Sequence, residues 1–241
     1  MEINLSAKDK QLLGVITARA RNFDVNDWND IQAYCAAHSV ELLMVRIGVH
    51  DMDTTQYLLS KGALLCETLL YYHRILPTRA LFSDIEGVVL RKMTAADREQ
   101  AEVIADYIFG EIQTHYGCDS LLRDKDILAI QRGQLFDPNR PDDWERVFVV
   151  AEKKDQIIGL GVTDFSHELK RAFGVLRGVL PDWSVAGLGK AIVLDSMDRA
   201  RKRGISKYQA SCSIDNKITQ IQMGQLGMRF SEAFYTLHLW L

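Results

Sequence analysis

The chain has 241 residues, 47% of them hydrophobic and 25% charged, with a formal net charge of -3. Such proportions belong to a folded globular protein of one large or two small domains and exclude disordered and collagen-like classes. A slightly acidic balance offers no basic footprint for nucleic acid, and no run approaches the roughly eighteen apolar residues of a membrane span, so neither partner is expected.

Taken from the N-terminus, "MEINLSAKDKQ" has no apolar core of signal-peptide type, and the four cysteines (Cys35, Cys66, Cys118, Cys212) include no C-x-x-C pair. Both features point to a reducing cytoplasm with buried free thiols. "DWNDIQAYCAAH" spaces Ile31, Tyr34 and Cys35 as one face of a helix, and "VELLMVRI" and "ALLCETLLYY" read as strands. Apolar periodicity lapses over "RILPTRALFSDIEG", residues 74 to 87, where a linker is expected between a first unit, 1–80, and a second, 87–241. "GVVLRKMTAADREQAEVIADYIF" is a strand followed by a helix with Thr94 as N-cap and Asp97 three residues on. "RVFVVAEKKDQIIGLGVTDF" is a hairpin turning at "EKKD", and "FGVLRGVL" is a further strand. The helix "GKAIVLDSMDRARKRG" places Leu194, Met197 and Ala200 on one face, sets cations in its last turn and ends at Gly204. "RARKR" in that helix reads as a solvated face, with Asp195 and Asp198 a turn earlier. Strand "KYQASCSI", helix "KITQIQMGQL" and strand "SEAFYTLHLWL" follow, the last carrying Tyr235 and His238 in packing roles. "FDPNRPDDW", residues 136 to 144, reads as a surface loop, or a lid over an acceptor. The order predicts a mixed α/β fold.

An internal echo refines this. An offset of 165 residues lays "SVELLMVRIGVHD" over "GISKYQASCSIDN" and aligns Thr54, Gly62, Glu67 and His73 with Thr219, Gly227, Glu232 and His238. The same offset sets Asn22 and Asp24 against Gly187 and Gly189 of "GVLPDWSVAGLGKAIV". Only the second half therefore has a glycine turn at a helix start. Counting back from Gly189-Lys190 puts Ser184 and Ala191 where a Walker A loop needs glycine and hydroxyl, and the dinucleotide fingerprint would place its third glycine at Ile192. Two readings remain: a plain strand-to-helix turn, or backbone N–H groups aimed at a phosphate from a helix N-terminus.

From "VLPDWSVAGLGKA" to "SIDNKITQIQMGQLGMRF" the chain resembles the GNAT superfamily of acyl-CoA-dependent N-acyltransferases. The resemblance spans about residues 87 to 241 and rests on Pro181, the glycines Gly187 and Gly189, Asn216 and Gly227. It implies a tandem GNAT-like α/β protein with a degenerate first half, and acetyl-CoA as co-substrate. The implied CoA contacts are Val179, Leu180, Val185, Ala186, Gly187, Leu188, Gly189, Lys190 and Asn216, with the Leu180 N–H as oxyanion donor. Three positions depart from the family: Ser184 replaces the usual Arg or Gln, Met223 the general-acid tyrosine, and Met228 the late aromatic. A thioether has no proton to give.

Two further stretches, "DMDTTQYLLSKGALLCET" and "HYGCDSLL", are similar to acetyltransferases of the dTDP-fucosamine type and imply a nucleotide-linked amino sugar as the small-molecule acceptor. Direct attack by an amine needs a base, and Asp164, His115 and Glu152 are the candidates, each equally readable as a structural residue. A peptide or antibiotic amine, a non-catalytic acyl-CoA-binding role, and a homodimer all stay open.

Overall fold

The computed structural model of the protein describes residues 1–82, 84–112, 114–122, 124–138, 143–183 and 187–241. Its elements are, in order, strand β1 (Glu2–Leu5), helix α1 (Ala7–Leu13), β2 (Thr17–Arg21), α2 (Trp28–Ala37), β3 (Leu42–Gly48), α3 (Met52–Ser60), β4 (Leu64–Ile75) and β5 (Val89–Lys92). Then come α4 (Arg98–Glu111), the single turn α5 (His115–Cys118), α6 (Ile127–Phe136), β6 (Trp144–Lys153), β7 (Gln156–Ser166), β8 (Arg171–Val179), α7 (Leu188–Lys202), β9 (Lys207–Ser213), α8 (Lys217–Gln225) and β10 (Arg229–Trp240).

Local chemistry sets the ends of these elements. Before α4, Asp97 accepts the Thr94 N–H at 2.7 Å and completes a capping box, as the Thr-x-x-Asp spacing predicts. Lys154 and Asp155, at φ 51° and 60°, make the tight turn of the β6–β7 hairpin. The cations of "RARKR" are held in ion pairs: Arg199 with Asp195, Arg201 and Lys202 with Asp198, and Arg203 with Glu145. Cys35, Cys66 and Cys212 are buried, but Cys118 is exposed at the end of α5, so one thiol departs from the expected burial. Residues 139–142 of "FDPNRPDDW" lie outside the described residues.

The ten strands form one sheet in the order β1-β2-β3-β10-β4-β9-β8-β7-β6-β5. Helices cover both faces. On one, Met197 and Ala200 of α7 pack with Phe165 and Tyr208; around the first half, Ile31 of α2 and Leu58 pack with Val45 and Leu237. Among the described residues no helix is long and apolar enough to cross a membrane.

The strand order shows an exchange. β10 lies between β3 and β4, and β4 lies between β10 and β9. Each half has inserted its last strand into the sheet of the other. The offset of 165 residues read from the sequence carries β3, α3 and β4 onto β9, α8 and β10 residue for residue. It also carries the β3–β10 register, Phe234 opposite Gly48, onto the β4–β9 register, Leu69 opposite Ser213. At the centre Leu69 faces Phe234, and the two bulges of the β4–β10 ladder skip Cys66 and Ser231, again 165 apart. The linker expected near residue 80 falls in the connection from β4 to β5.

Candidate active site

β8 and β9 are parallel neighbours only from Arg171 to Gly174 against Lys207 to Ala210. Val175 is then skipped in the β7–β8 ladder, a bulge that bends β8. Beyond it β8 follows β7 while β9 follows β4, and the two strands diverge. Gly178 fixes this course: a Cβ there would lie 2.3 Å from Ile108 Cγ1, so α4 sits directly on the strand backbone. The wedge between β8 and β9 opens into a cavity of about 220 Å³ whose wall includes Glu67, Val175, Arg177, Ser213, Asn216 and Met223. Glu67, Phe109, Thr114 and Val175 also border a second recess of about 320 Å³, which reaches His115.

Backbone direction decides which amides face the wedge. The Leu180 N–H donates to the Ile158 carbonyl at 2.9 Å, and the Leu180 carbonyl accepts from Trp183. Leu180 is therefore spent on the sheet and cannot be the oxyanion donor expected of it. Strand alternation turns the backbone groups of Val179 and Arg177 the opposite way, toward β9.

At the start of α7, Gly187 is the N-cap in the left-handed region, φ 90° and ψ -9°. The first N–H groups of the helix have no intrahelical acceptor and stand at its positive end. Leu188 is fully buried against Ala151 and Ile158, so its side chain belongs to the core and only its backbone is left for a ligand. Gly189 and Lys190 complete this turn, while Ser184, Val185 and Ala186 lie outside the described residues. In the first half the corresponding turn is already filled, since the Asp24 carboxylate accepts the Asn26 N–H at 2.7 Å. Asn216 caps α8, accepting the Thr219 N–H at 3.0 Å, and borders the cavity. Asp51, its counterpart by the echo, caps α3 in the same way through Thr54.

Two of the three expected bases are engaged in ion pairs. Both oxygens of Asp164 are held by Arg146, each at 2.5 Å, and Glu152 is bound by Arg91 at 2.6 Å. Each carboxylate is thus taken up by an arginine. His115 borders the second recess, with its Nδ1 2.9 Å from His238 Nε2; His238 Nδ1 in turn lies 2.7 Å from Asp119, which also accepts the Trp240 indole N–H at 3.0 Å. Burial, and after it the facing His238, hold the His115 imidazole well below its ordinary range. With Asp119 accepting from His238 and His238 accepting from His115, the nitrogen of His115 left for the recess is a neutral lone pair. Asp119 and His238 are both completely buried. Asp119→Ala is expected to cost about 3 kcal/mol in a denaturant melt, the usual penalty for orphaning one member of a buried polar pair.

Two residues at this site escaped the sequence reading. Glu67 lies on β4 in both cavities, and burial, partly opposed by Arg46, pushes its carboxyl up to about 7. Arg177 is the lone cation inside the apolar strand "FGVLRGVL", and that interruption is the only sequence signal it left.

Residues 118–222 match the model of the Acetyltransferase (GNAT) family. The matched stretch runs from the end of α5 into α8 and includes the strands and the glycine turn described above. The whole chain shares the fold of solved GNAT structures. A GCN5-related N-acetyltransferase from Sphaerobacter thermophilus is 12% identical, with a TM-score of 0.63 over 99% of this chain and 76% of that one. A tandem GNAT protein from the clavulanic acid biosynthesis pathway is 12% identical, with a TM-score of 0.62 over 93% of this chain and 75% of that one. A third, from Kribbella flavida, is 14% identical, with a TM-score of 0.60 over 92% and 80% of the two chains. No curated protein matches the sequence. GNAT enzymes generally use acetyl-CoA as co-substrate.

Proposed function

We propose that the protein is a cytoplasmic N-acetyltransferase that moves an acetyl group from acetyl-CoA to the primary amine of a small molecule in a ternary complex. One observation carries the reading: the unpaired edge of β8 opens on a cavity with a half-buried carboxylate, Glu67, at its far side. The pyrophosphate of CoA sits on the α7 N-terminus at Gly187, Leu188, Gly189 and Lys190, and its pantetheine arm pairs with the Val179 and Arg177 backbone as an added strand. Arg177 is the deeper of the two and its N–H takes over from Leu180 as oxyanion donor. Asn216 lines the arm. The acceptor enters from the second recess, where His115 offers a hydrogen-bond acceptor and Glu67 receives the proton lost by the attacking amine.

A nucleotide-linked amino sugar is the proposed acceptor, on the similarity of "HYGCDSLL" to the fucosamine-type enzymes. In this fold that stretch supplies His115 at the recess and Asp119 behind it. The absence of a hydroxyl at Met223 favours a second reading, in which acyl-CoA is bound without turnover. Acetyl transfer assayed on a panel of amino sugar nucleotides, peptides and aminoglycosides separates the two. Calorimetry should give one CoA per chain, because Asp24 fills the turn of the first half; a stoichiometry of two would overturn the assignment.

A further inference from the structure

Most arginines bordering the interior of this protein have a carboxylate. Arg146 has Asp164, Arg19 has Asp9, Arg91 has Asp97 and Arg203 has Glu145. Arg177 has none among the described residues. Its Nη1 is buried with no hydrogen-bond partner, and its Nη2 reaches only the Thr219 hydroxyl, at 3.5 Å. The side chain borders the wedge cavity together with Thr219 and Met223 of α8. A guanidinium removed from water without a counter-ion is costly, and it stays charged, so the site is built to meet a negative charge.

On the acetyl-transfer reading, on which this inference rests, the thioester is neutral on arrival. The amine nitrogen attacks the carbonyl carbon, the C–N bond forms, and the carbonyl oxygen becomes an oxyanion. The amine proton passes to Glu67. The C–S bond then breaks with its electron pair going to sulfur, and the amide and a CoA thiolate result. That thiolate is an anion, and Met223, on the cavity wall beside Arg177, has no hydroxyl to protonate it. We infer that the Arg177 guanidinium stabilises the departing thiolate by charge, in place of protonation by a residue at position 223. Arginine cannot give up its proton here, so the thiolate is protonated by solvent after release. Because the charge appears only as the bond breaks, the interaction acts on the transition state and not on the bound thioester.

The test uses the full chain with CoA itself. The ultraviolet absorbance of the thiolate is followed against pH for CoA bound to the wild type and to Arg177→Met. Bound CoA should ionise at least about one pH unit below free CoA in the wild type, as expected for a thiol beside a cation, and this shift should vanish in the variant. In parallel, kcat should fall about 10- to 100-fold with little change in the dissociation constant for acetyl-CoA, and Arg177→Lys should recover part of it. Arg177→Gln serves the same comparison should the methionine variant fold poorly.

Identical thiol titrations in wild type and variant would overturn the role of Arg177 while leaving the transferase reading intact. Failure of CoA to bind the wild type would remove that reading as well. If the variants lose activity only on acyl groups or acceptors bearing a carboxylate, Arg177 reads that carboxylate and the thiolate role falls.

Discussion

Gly187→Glu should weaken CoA binding by more than about 100-fold in calorimetry, and two separate effects produce that loss. Gly187 sits at φ 90°, where a side chain strains the backbone by about 1–2 kcal/mol. A carboxylate at the α7 N-terminus would in addition occupy the N–H groups and repel the pyrophosphate, and at about 1.4 kcal/mol per decade a loss of two decades asks about 2.8 kcal/mol of the two together. Gly187→Ala separates them, since it keeps the strain and omits the charge; a loss of about tenfold is expected. Undiminished binding by the glutamate variant would show that the anion lies elsewhere.

Glu67→Gln should lower kcat by about 100- to 10,000-fold, the size of a general-base contribution, with acetyl-CoA affinity unchanged. The pH profile carries the sign. Burial raises the carboxyl of Glu67 to about 7, so below that pH it is protonated and cannot accept the amine proton. The wild-type kcat/KM should therefore climb about tenfold per pH unit up to near 7 and then flatten with respect to this group. In the glutamine variant that bend should disappear, leaving only the limb set by ionisation of the acceptor amine itself. A wild-type profile without the bend, or a variant as fast as the wild type, would exclude Glu67 as the base.

Much of the fold was legible because its information is local. Alternation marks β3, β4 and β6 to β10, Thr94 and Asp97 announce α4, and the echo between Asp51 and Asn216 reports two equivalent helix caps. β1 and the single turn α5 are four residues each, too short to show a period, and they went unread. At the site the glycine turn before α7 was legible from Gly187, but the Leu180 N–H is bonded to Ile158, because along a strand successive residues turn their backbone groups to opposite edges. Asp164 was legible as an acid and not as a partner of Arg146, which faces it only through the hairpin register. Glu67 could not be found from its surroundings in the sequence, because Ser213 and Asn216 become its neighbours only through the exchange of strands.

That exchange also governs how the protein is made. β3 and β4 are separated in the finished sheet by β10, so Leu42, paired early with Thr17 of β2, waits for Trp240 on its other edge. Until then the first half emerges from the ribosome with two hydrophobic strand edges unpaired, the condition that invites chaperone capture or pairing with another nascent chain. The same contacts, spanning most of the chain, make for slow closure of the sheet. A ribosome stalled before β10 is complete would thus leave both halves open at once, and two such chains could satisfy each other by trading β4.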